Sequence, residues 1–273
     1  MRPDGVQELG QDVWSPYGVK VLGTPVGSEL FVQNHLDDKL AEEQRLWEAL
    51  PEIPDLQCAF QVLLQCASPR ANHLLRTVPP SQVLTYAKGH DAGMWETFCK
   101  LLGGLPGSAD EKKTASQLLT LPQRLGGGGL RSATRTSPAA YWSSWADALA
   151  MLDARLPTVA NLAVVELDSQ EAGPQCLREV QRADRLLERS GFVKKPGWAQ
   201  LRDGERPPKN ETAELGEWSH GWQFYAASVL EHTFRSRVFL TQSSDPSTRA
   251  HLRSHSGSNS SAVLSGAPTC PEF

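Results

Sequence analysis

Apolar residues recur with helical spacing over much of the chain, and prolines and glycines divide them into short segments. After Ser28, which suits a helix N-cap, the apolar positions keep this period to about Leu50 and acidic residues fill the opposite side. The stretch Gly18–Gly27 differs, because it is short, rich in β-branched residues and bounded by Gly and Pro. The pattern therefore predicts a mainly α-helical protein with a short N-terminal strand or hairpin.

The same spacing predicts further helices at about residues 55–67, 69–77, 81–102, 132–156, 174–190 and 215–240. The second helix, 55–67, is apolar on nearly every side and is expected in the core. Gly89 and Gly93 are expected to interrupt the helix at 81–102, and Ser108 with Glu111 has the spacing of a capping box. The segment 194–210 is rich in Lys, Arg, Pro and Gly, which predicts an exposed connection.

Composition narrows the class of protein. The chain has 273 residues, 40% of them hydrophobic, and a net charge of −4, so composition gives no support to a dedicated nucleic-acid module, which would be basic. No run of about 18 apolar residues predicts a transmembrane helix, and the first residues lack the apolar region of a secretory signal. The five cysteines are scattered and odd in number, which favours buried thiols in a reducing intracellular compartment over disulfides.

Three motifs that sometimes carry chemistry have simpler explanations here. The run Gly126–Gly129 lacks the Lys-Ser/Thr of a Walker phosphate loop, so a flexible turn is favoured over a phosphate site. Cys58 and Cys66 do not have zinc-ligand spacing, and His251 and His255 have no Cys or carboxylate partner nearby. There is no G-x-S-x-G elbow of a hydrolase. The sequence predicts no catalytic residue, no metal site and no cofactor.

Two sets of basic residues remain as candidate nucleic-acid contacts. Arg70, His73 and Arg76 recur at i, i+3 and i+6, which places them along one edge of a short helix, where they would contact phosphates or simply be solvated. Four arginines with 4-3-4 spacing form the second set: Arg178, Arg182, Arg185 and Arg189. At 100° per residue these four fall within roughly 60° of one another on a helix.

Carboxylates accompany the second set. Glu179, Asp184 and Glu188 flank the arginines and weaken their positive field, and a solvated helix face is the competing interpretation. Arginine cannot be deprotonated near neutral pH and forks onto phosphate oxygens, so such a row suits an anionic backbone. We expect the row to be the most positive exposed face of the chain, with weak affinity that salt screens.

Several landmarks, in order along the chain, resemble one family of polymerases. They are Gly18–Gly27 followed by Phe31 and Val32, Leu56–Arg76, His90 with Asp91, Leu121–Pro122 with Gly127–Arg131, Ala139–Trp145, and Leu252–Gly257. The first resembles the K-x-L-G-x-x-[IV]-G strand that closes the palm of non-LTR retrotransposon reverse transcriptases. The second resembles the first thumb helices of that family, and the others resemble its thumb and the helices beyond it.

The resemblance implies RNA-directed DNA polymerase activity for an intact member but not for this chain. Such polymerases hold two divalent metal ions on palm aspartates, one of them from a [FY]-x-D-D hairpin. The Asp-Asp pair here, Asp37–Asp38, lies inside a helical pattern and after the strand, which indicates a solvated helix face. We therefore expect a truncated, inactive chain that begins downstream of the palm active site.

The resemblance also suggests how the chain is organised. The predicted regions are a palm-closing remnant (1–27), a thumb-like helical region (28–105), a second helical region (106–192), a linker (193–214), a helical segment (215–240) and a weakly ordered Ser-rich tail (241–273). In this interpretation the basic faces contact RNA or an RNA/DNA duplex, and no membrane is involved. The alternatives are a helical protein-interaction module without nucleic-acid function and, after it, an enzyme with an unrecognised site.

Overall fold

The structure, a computed structural model, describes residues 17–207 and 221–240. Helices of all kinds make up 74% of the described residues, and the strands found there belong to one short N-terminal hairpin. The predicted fold class is therefore confirmed. The predicted tail at 241–273, with His251, His255 and Cys270, lies outside the described residues, as do 208–220 of the predicted linker and helical segment.

The strands and α-helices are β1 (Gly18–Val21), β2 (Thr24–Gly27), α1 (Glu29–Ala49), α2 (Leu56–Val62), α3 (Asn72–Thr77), α4 (Pro80–Leu101), α5 (Ala109–Leu119), α6 (Ala133–Arg155), α7 (Pro157–Asp168), α8 (Gln175–Arg189), α9 (Trp198–Arg202) and α10 (Trp222–Arg235). Turns of 3₁₀-helix cover Leu50–Glu52, Ser68–Ala71 and Gln123–Leu125, and π-helical turns cover Leu63–Ala67 and Ser236–Leu240.

The hairpin and the start of α1 follow from local sequence. Leu22 and Gly23 connect β1 to β2 with φ angles of +49° and +85°, the left-handed pair that a tight two-residue hairpin requires. Ser28 then accepts a hydrogen bond from the Phe31 N–H at 3.3 Å and caps α1, as predicted.

The described residues divide into two compact units, of which the first comprises 17–46, 70–91, 133–207 and 221–230. Trp142 of α6 is completely buried at the centre of the larger hydrophobic core of this unit. The rings of Phe192, Trp198 and Trp222 surround it, with centroids 5.3, 5.9 and 6.2 Å away. Such edge-to-face and tilted aromatic packing stabilises the region that holds α6, α8 and α9 together.

Two polar clusters connect elements within this first unit. The carboxylate of Glu43 is buried, accepts a hydrogen bond from the Tyr86 hydroxyl at 2.5 Å and contacts His90 Nδ1 at 2.7 Å. Asp91, at the next position, accepts hydrogen bonds from the N–H groups of Ala133 (2.7 Å) and Thr134 (3.1 Å). A carboxylate at this position caps the first turn of α6 and complements its dipole.

The second unit comprises 47–69, 92–132 and 231–240. It contains α5, whose start is the predicted capping box: the Glu111 N–H donates to Ser108 Oγ, and the Ser108 N–H donates to the Glu111 carboxylate. Leu121, Leu125 and Phe239 form a small core in this unit.

Two predictions about helices need correction. The first concerns the helix at 55–67, which is predicted to be apolar on nearly every side and to lie in the core. Leu56, Cys58 and Cys66 are exposed. Only the side of α2 and the following π-turn that carries Ala59, Leu63 and Ala67 is buried.

The second concerns α4, whose glycines do not interrupt the helix. A Cβ on Gly89 would lie 2.5 Å from a methyl group of Leu40, so glycine there permits close packing.

Two helices were not predicted. The apolar helix α7 carries buried residues such as Ala160 and Val164 but also exposed ones such as Leu162 and Val165, so its pattern has no polar face to reveal the period. The short helix α9 lies within the predicted linker at 193–214, and its residues Trp198 and Leu201 are buried.

Candidate functional site

The side chains of the first predicted basic set, Arg70, His73 and Arg76, lie in different surroundings in the structure. The Arg76 guanidinium donates to the Gln223 amide oxygen at 2.7 Å and to the Asp147 carboxylate at 2.9 Å. The Arg76 carbonyl oxygen accepts a hydrogen bond from the Ser144 hydroxyl at 2.6 Å. Arg76 therefore connects α3 to α6 and α10, and its side chain is occupied by internal partners.

The other two members of that set point to different surroundings. His73 is exposed, and its Nε2 lies 3.3 Å from the hydroxyl of Thr24 at the start of β2. Arg70 is exposed in the 3₁₀ turn before α3. The three side chains therefore do not form one exposed edge at which all of them could contact the same ligand.

The second predicted set lies on α8, which is strongly amphipathic. Leu177, Val180, Ala183 and Leu187 are buried on one side of the helix. Arg182, Arg185 and Arg189 are exposed on the other side, as their spacing suggested. Three guanidinium groups along one exposed helix face are suited to contact successive phosphates of a nucleic-acid backbone.

Arg178 differs from its three neighbours. It is half-buried, and its guanidinium donates hydrogen bonds to the carbonyl oxygens of Ala172, at 3.3 Å, and Gly173. Arg178 therefore holds the loop that precedes α8 instead of extending the exposed face.

The carboxylates beside the arginines have other partners. Lys195 Nζ lies 2.6 Å from both oxygens of Asp184 and 3.0 Å from Glu188. Asp184 also accepts a hydrogen bond from the Trp142 indole N–H at 2.7 Å. Glu179 is the exception: it is buried, pairs with the exposed Arg182 at 2.5 Å and accepts a bond from the Ser81 N–H. Two of the three carboxylates that flank the row are thus bound by Lys195.

The turn after α8 explains how Lys195 reaches them. Gly191 has a φ of +100°, and the Phe192 N–H donates to the Leu187 carbonyl at 2.9 Å, the arrangement that ends many helices. Phe192 then packs against Trp142, and the chain runs back along α8. Sequence reasoning missed Lys195, although a glycine after a helical pattern, followed by Lys194 and Lys195, was the available signal.

The glycine run has a structural role. The N–H groups of Gly127, Gly128 and Gly129 donate to the carbonyl oxygens of Pro122, Leu118 and Leu121, at 3.2, 3.2 and 2.8 Å. Since these donors are bound to the backbone, they are not directed at a phosphate, and the predicted turn is the correct interpretation.

A large apolar cleft, which sequence reasoning did not predict, lies in the first unit between the β1–β2 hairpin and α6. It has a volume of about 1210 Å³ and is called here the hairpin–α6 cleft. Its walls include Val21, Val26, Ala148, Met151, Leu152 and Leu156. Tyr141 lies in it as well, and burial raises the pKa of that phenol to about 12.

Comparison with known proteins gives no relative for this arrangement: no protein-family model, no curated protein and no solved structure matches the chain. Within the described ranges, no group of three or more His, Cys, Asp or Glu side chains is placed to hold a metal ion. None of the helices that the structure describes has the length and apolar character needed to cross a membrane.

Proposed function

We propose that the chain is a reverse-transcriptase-like thumb module that grips an RNA/DNA duplex and does not polymerise nucleotides. The observation that carries the proposal is the exposed face of α8, where Arg182, Arg185 and Arg189 are accessible while Lys195 binds Asp184 and Glu188. Binding of this kind uses phosphate contacts and duplex shape, and it does not depend on base sequence.

The resemblance of the sequence landmarks to non-LTR reverse transcriptases supports the same conclusion. The position of Asp37 and Asp38 supports the non-catalytic part: both are exposed in the middle of α1, and Asp37 accepts a hydrogen bond from Gln33 at 2.8 Å. We further propose a reducing intracellular compartment. The four cysteines in the described part of the chain are free thiols, Cys58 and Cys66 being exposed rather than buried as expected.

The test is a binding titration of the full chain on a primed RNA template at several salt concentrations. We expect the double variant Arg182→Glu/Arg185→Glu to bind at least about tenfold more weakly at low salt, and the slope of log affinity against log salt to fall by roughly 2 because two phosphate contacts are lost. Incubation with Mg²⁺ and deoxynucleotides should give no primer extension.

A matched control distinguishes this face from net charge. Lys112→Glu/Lys113→Glu changes the charge of the chain by the same amount on the exposed start of α5, and it should leave duplex affinity within about twofold of wild type. If both double variants lose affinity equally, or if wild type does not bind, the α8 face is a solvated surface and the proposal is wrong.

A protein-interaction module is the second candidate, and the hairpin–α6 cleft favours it. Exposed apolar clefts of this size in otherwise polar surfaces usually mark binding sites. A chain that shows no salt-dependent duplex binding, but whose cleft binds a partner, would fit this second function better.

A further inference from the structure

The hairpin–α6 cleft follows α6 from Tyr141 to Arg155. At 1.5 Å per residue this is a trough about 21 Å long, the length of a helix of about four turns. The side chains of Val21, Val26 and Met151 are 50%, 53% and 58% exposed on its two walls. It is thus an open trough, unlike the enclosed pockets that bury most of the surface of a small ligand.

The polar groups of the trough favour a particular form of occupant. The Ser144 hydroxyl donates its proton to the carbonyl oxygen of Arg76 at 2.6 Å, with the carbonyl oxygen of Tyr141 as a second acceptor at 2.9 Å, and the Thr77 hydroxyl donates to the carbonyl oxygen of His73. The amides of Gln82 and Gln175 also line the trough, but two side chains cannot pair the full row of N–H and C=O groups that an extended peptide would bring against the apolar walls. A helix pairs its own backbone groups and buries only an apolar stripe.

The charged residues on the walls of the trough indicate the charge that its occupant should carry. Arg76 and Arg155 are the residues with a full charge on the walls of the trough, and Asp147 already pairs with Arg76. Arg155 is exposed in the last turn of α6. No Asp or Glu from the described residues lines the trough, so an acidic flank on the occupant would be attracted and would meet no carboxylate there.

We infer that the hairpin–α6 cleft is a docking groove for an acidic amphipathic helix of a partner protein. The helix would place an apolar i, i+4, i+7, i+11 stripe between the hairpin and α6, with Glu or Asp side chains near Arg155. This site is separate from the proposed duplex contact, since none of the α8 arginines lines the trough.

The test uses the full chain and a phage-displayed library of 16-residue helices. Leucine is fixed at i, i+4, i+7 and i+11, and the remaining positions are drawn from Glu, Lys, Gln and Ala. We expect selected helices to be enriched in Glu over Lys. Their affinity should fall by about tenfold or more with Met151→Glu, because a charge then opposes an apolar stripe.

The matched control is Leu162→Glu. Leu162 lies on α7 and is 61% exposed, similar to Met151, but it does not line the trough, so this variant should bind the selected helices like wild type. Val26→Glu on the opposite wall should reproduce the loss if Met151→Glu alters folding. Arg155→Glu should weaken Glu-rich helices about threefold and strengthen a Lys-rich version of the same sequence.

Three results would overturn the inference: no enrichment, enrichment of Lys-rich helices, or binding that survives both wall variants. Two other possible occupants, another segment of this chain and a second copy of it, are tested by cross-linking. Benzoylphenylalanine replaces Met151, and the protein is irradiated without any added helix. Cross-linking to residues 1–16 of the same chain, or to a second copy of the chain, would assign the trough to that occupant instead.

Discussion

Arg76 on α3 and the arginines of α8 look equivalent in the sequence, since each belongs to a basic row on a predicted helix. In the structure Arg76 is held by Asp147 and Gln223, whereas Arg182, Arg185 and Arg189 are exposed. The difference lies in the neighbours. Asp147 pairs with Arg76. On α8, Lys195 from the returning chain binds two of the three flanking carboxylates, and only Glu179 pairs with an arginine of the face, Arg182. The spacing of basic residues therefore predicts that they share one helix face. Whether that face can contact a ligand depends on the partners of the neighbouring carboxylates.

The largest expected effect comes from removing that lysine. Lys195 and Asp184 are 12% and 15% exposed, so Lys195→Met leaves a nearly buried carboxylate without its cation and should lower the free energy of unfolding by about 3 kcal/mol. Duplex affinity should also fall, because Asp184 and Glu188 then face the α8 arginines. Urea denaturation and the binding titration measure both effects. The exposed neighbour provides the control: Lys194→Met should change neither, and equal effects of the two variants would refute the role given to Lys195.

Arg76→Met should have the next largest effect, and on stability alone. Its partners are partly exposed, so the expected loss is about 1–2 kcal/mol, seen as a lower urea midpoint with unchanged duplex affinity. Arg70→Met, on the exposed 3₁₀ turn, should stay within about 0.5 kcal/mol of wild type. If Arg76→Met lowered duplex affinity without lowering stability, Arg76 would contact the duplex as the α8 arginines are proposed to do, and the contrast drawn here would be wrong.

A smaller effect, in the opposite direction, is expected at Glu179. Glu179→Gln keeps an acceptor for the Ser81 N–H but removes the charge that pairs with Arg182. Duplex affinity should therefore rise about twofold at low salt and converge on wild type at high salt. Glu171→Gln, at an exposed position outside α8, is the control. A fall in affinity with Glu179→Gln would mean that the carboxylate orients Arg182 for binding.

The smallest effect concerns two histidines that differ in burial. His35 is 5% exposed, and burial, with Lys20 and Lys39 nearby, lowers its pKa. The folded state then binds fewer protons than the unfolded chain, so stability should decrease as pH falls below about 6.5. His35→Gln should reduce the drop in urea midpoint between pH 7.5 and 5.5. His73→Gln, on the exposed side of α3, should retain it. An identical drop in all three proteins would exclude His35 as its source.

Local signals were sufficient for much of the fold. The N-cap Ser28, the capping box of Ser108 and Glu111, and the β-branched run before Gly27 each act over a few residues, and the structure has these elements where the sequence predicts them. Helix α7 was missed because apolar residues occupy both its buried and exposed sides, and periodicity needs a contrast between faces.

The candidate site was harder to predict, because it depends on contacts between distant parts of the chain. The exposure of Arg182, Arg185 and Arg189 followed from their period, whereas Arg178 of the same row is half-buried. The pairing of Arg76 with Gln223 joins residues 147 positions apart, and no local pattern indicates it. Lys195 required knowledge of the turn at Gly191, and the hairpin–α6 cleft required the packing of the hairpin beside α6.

The carboxylate of Asp91 also has a consequence for the order of folding events. It caps α6 from 42 residues away in the chain, so two N–H groups in the first turn of α6 gain these acceptors only once the middle of α4 is in place. Bringing such distant residues together carries a loop-closure entropy cost, and this contact must follow that closure. The N-terminal turn of α6 should therefore become stable during assembly of the first unit, later than a helix such as α5 whose cap lies within its own sequence.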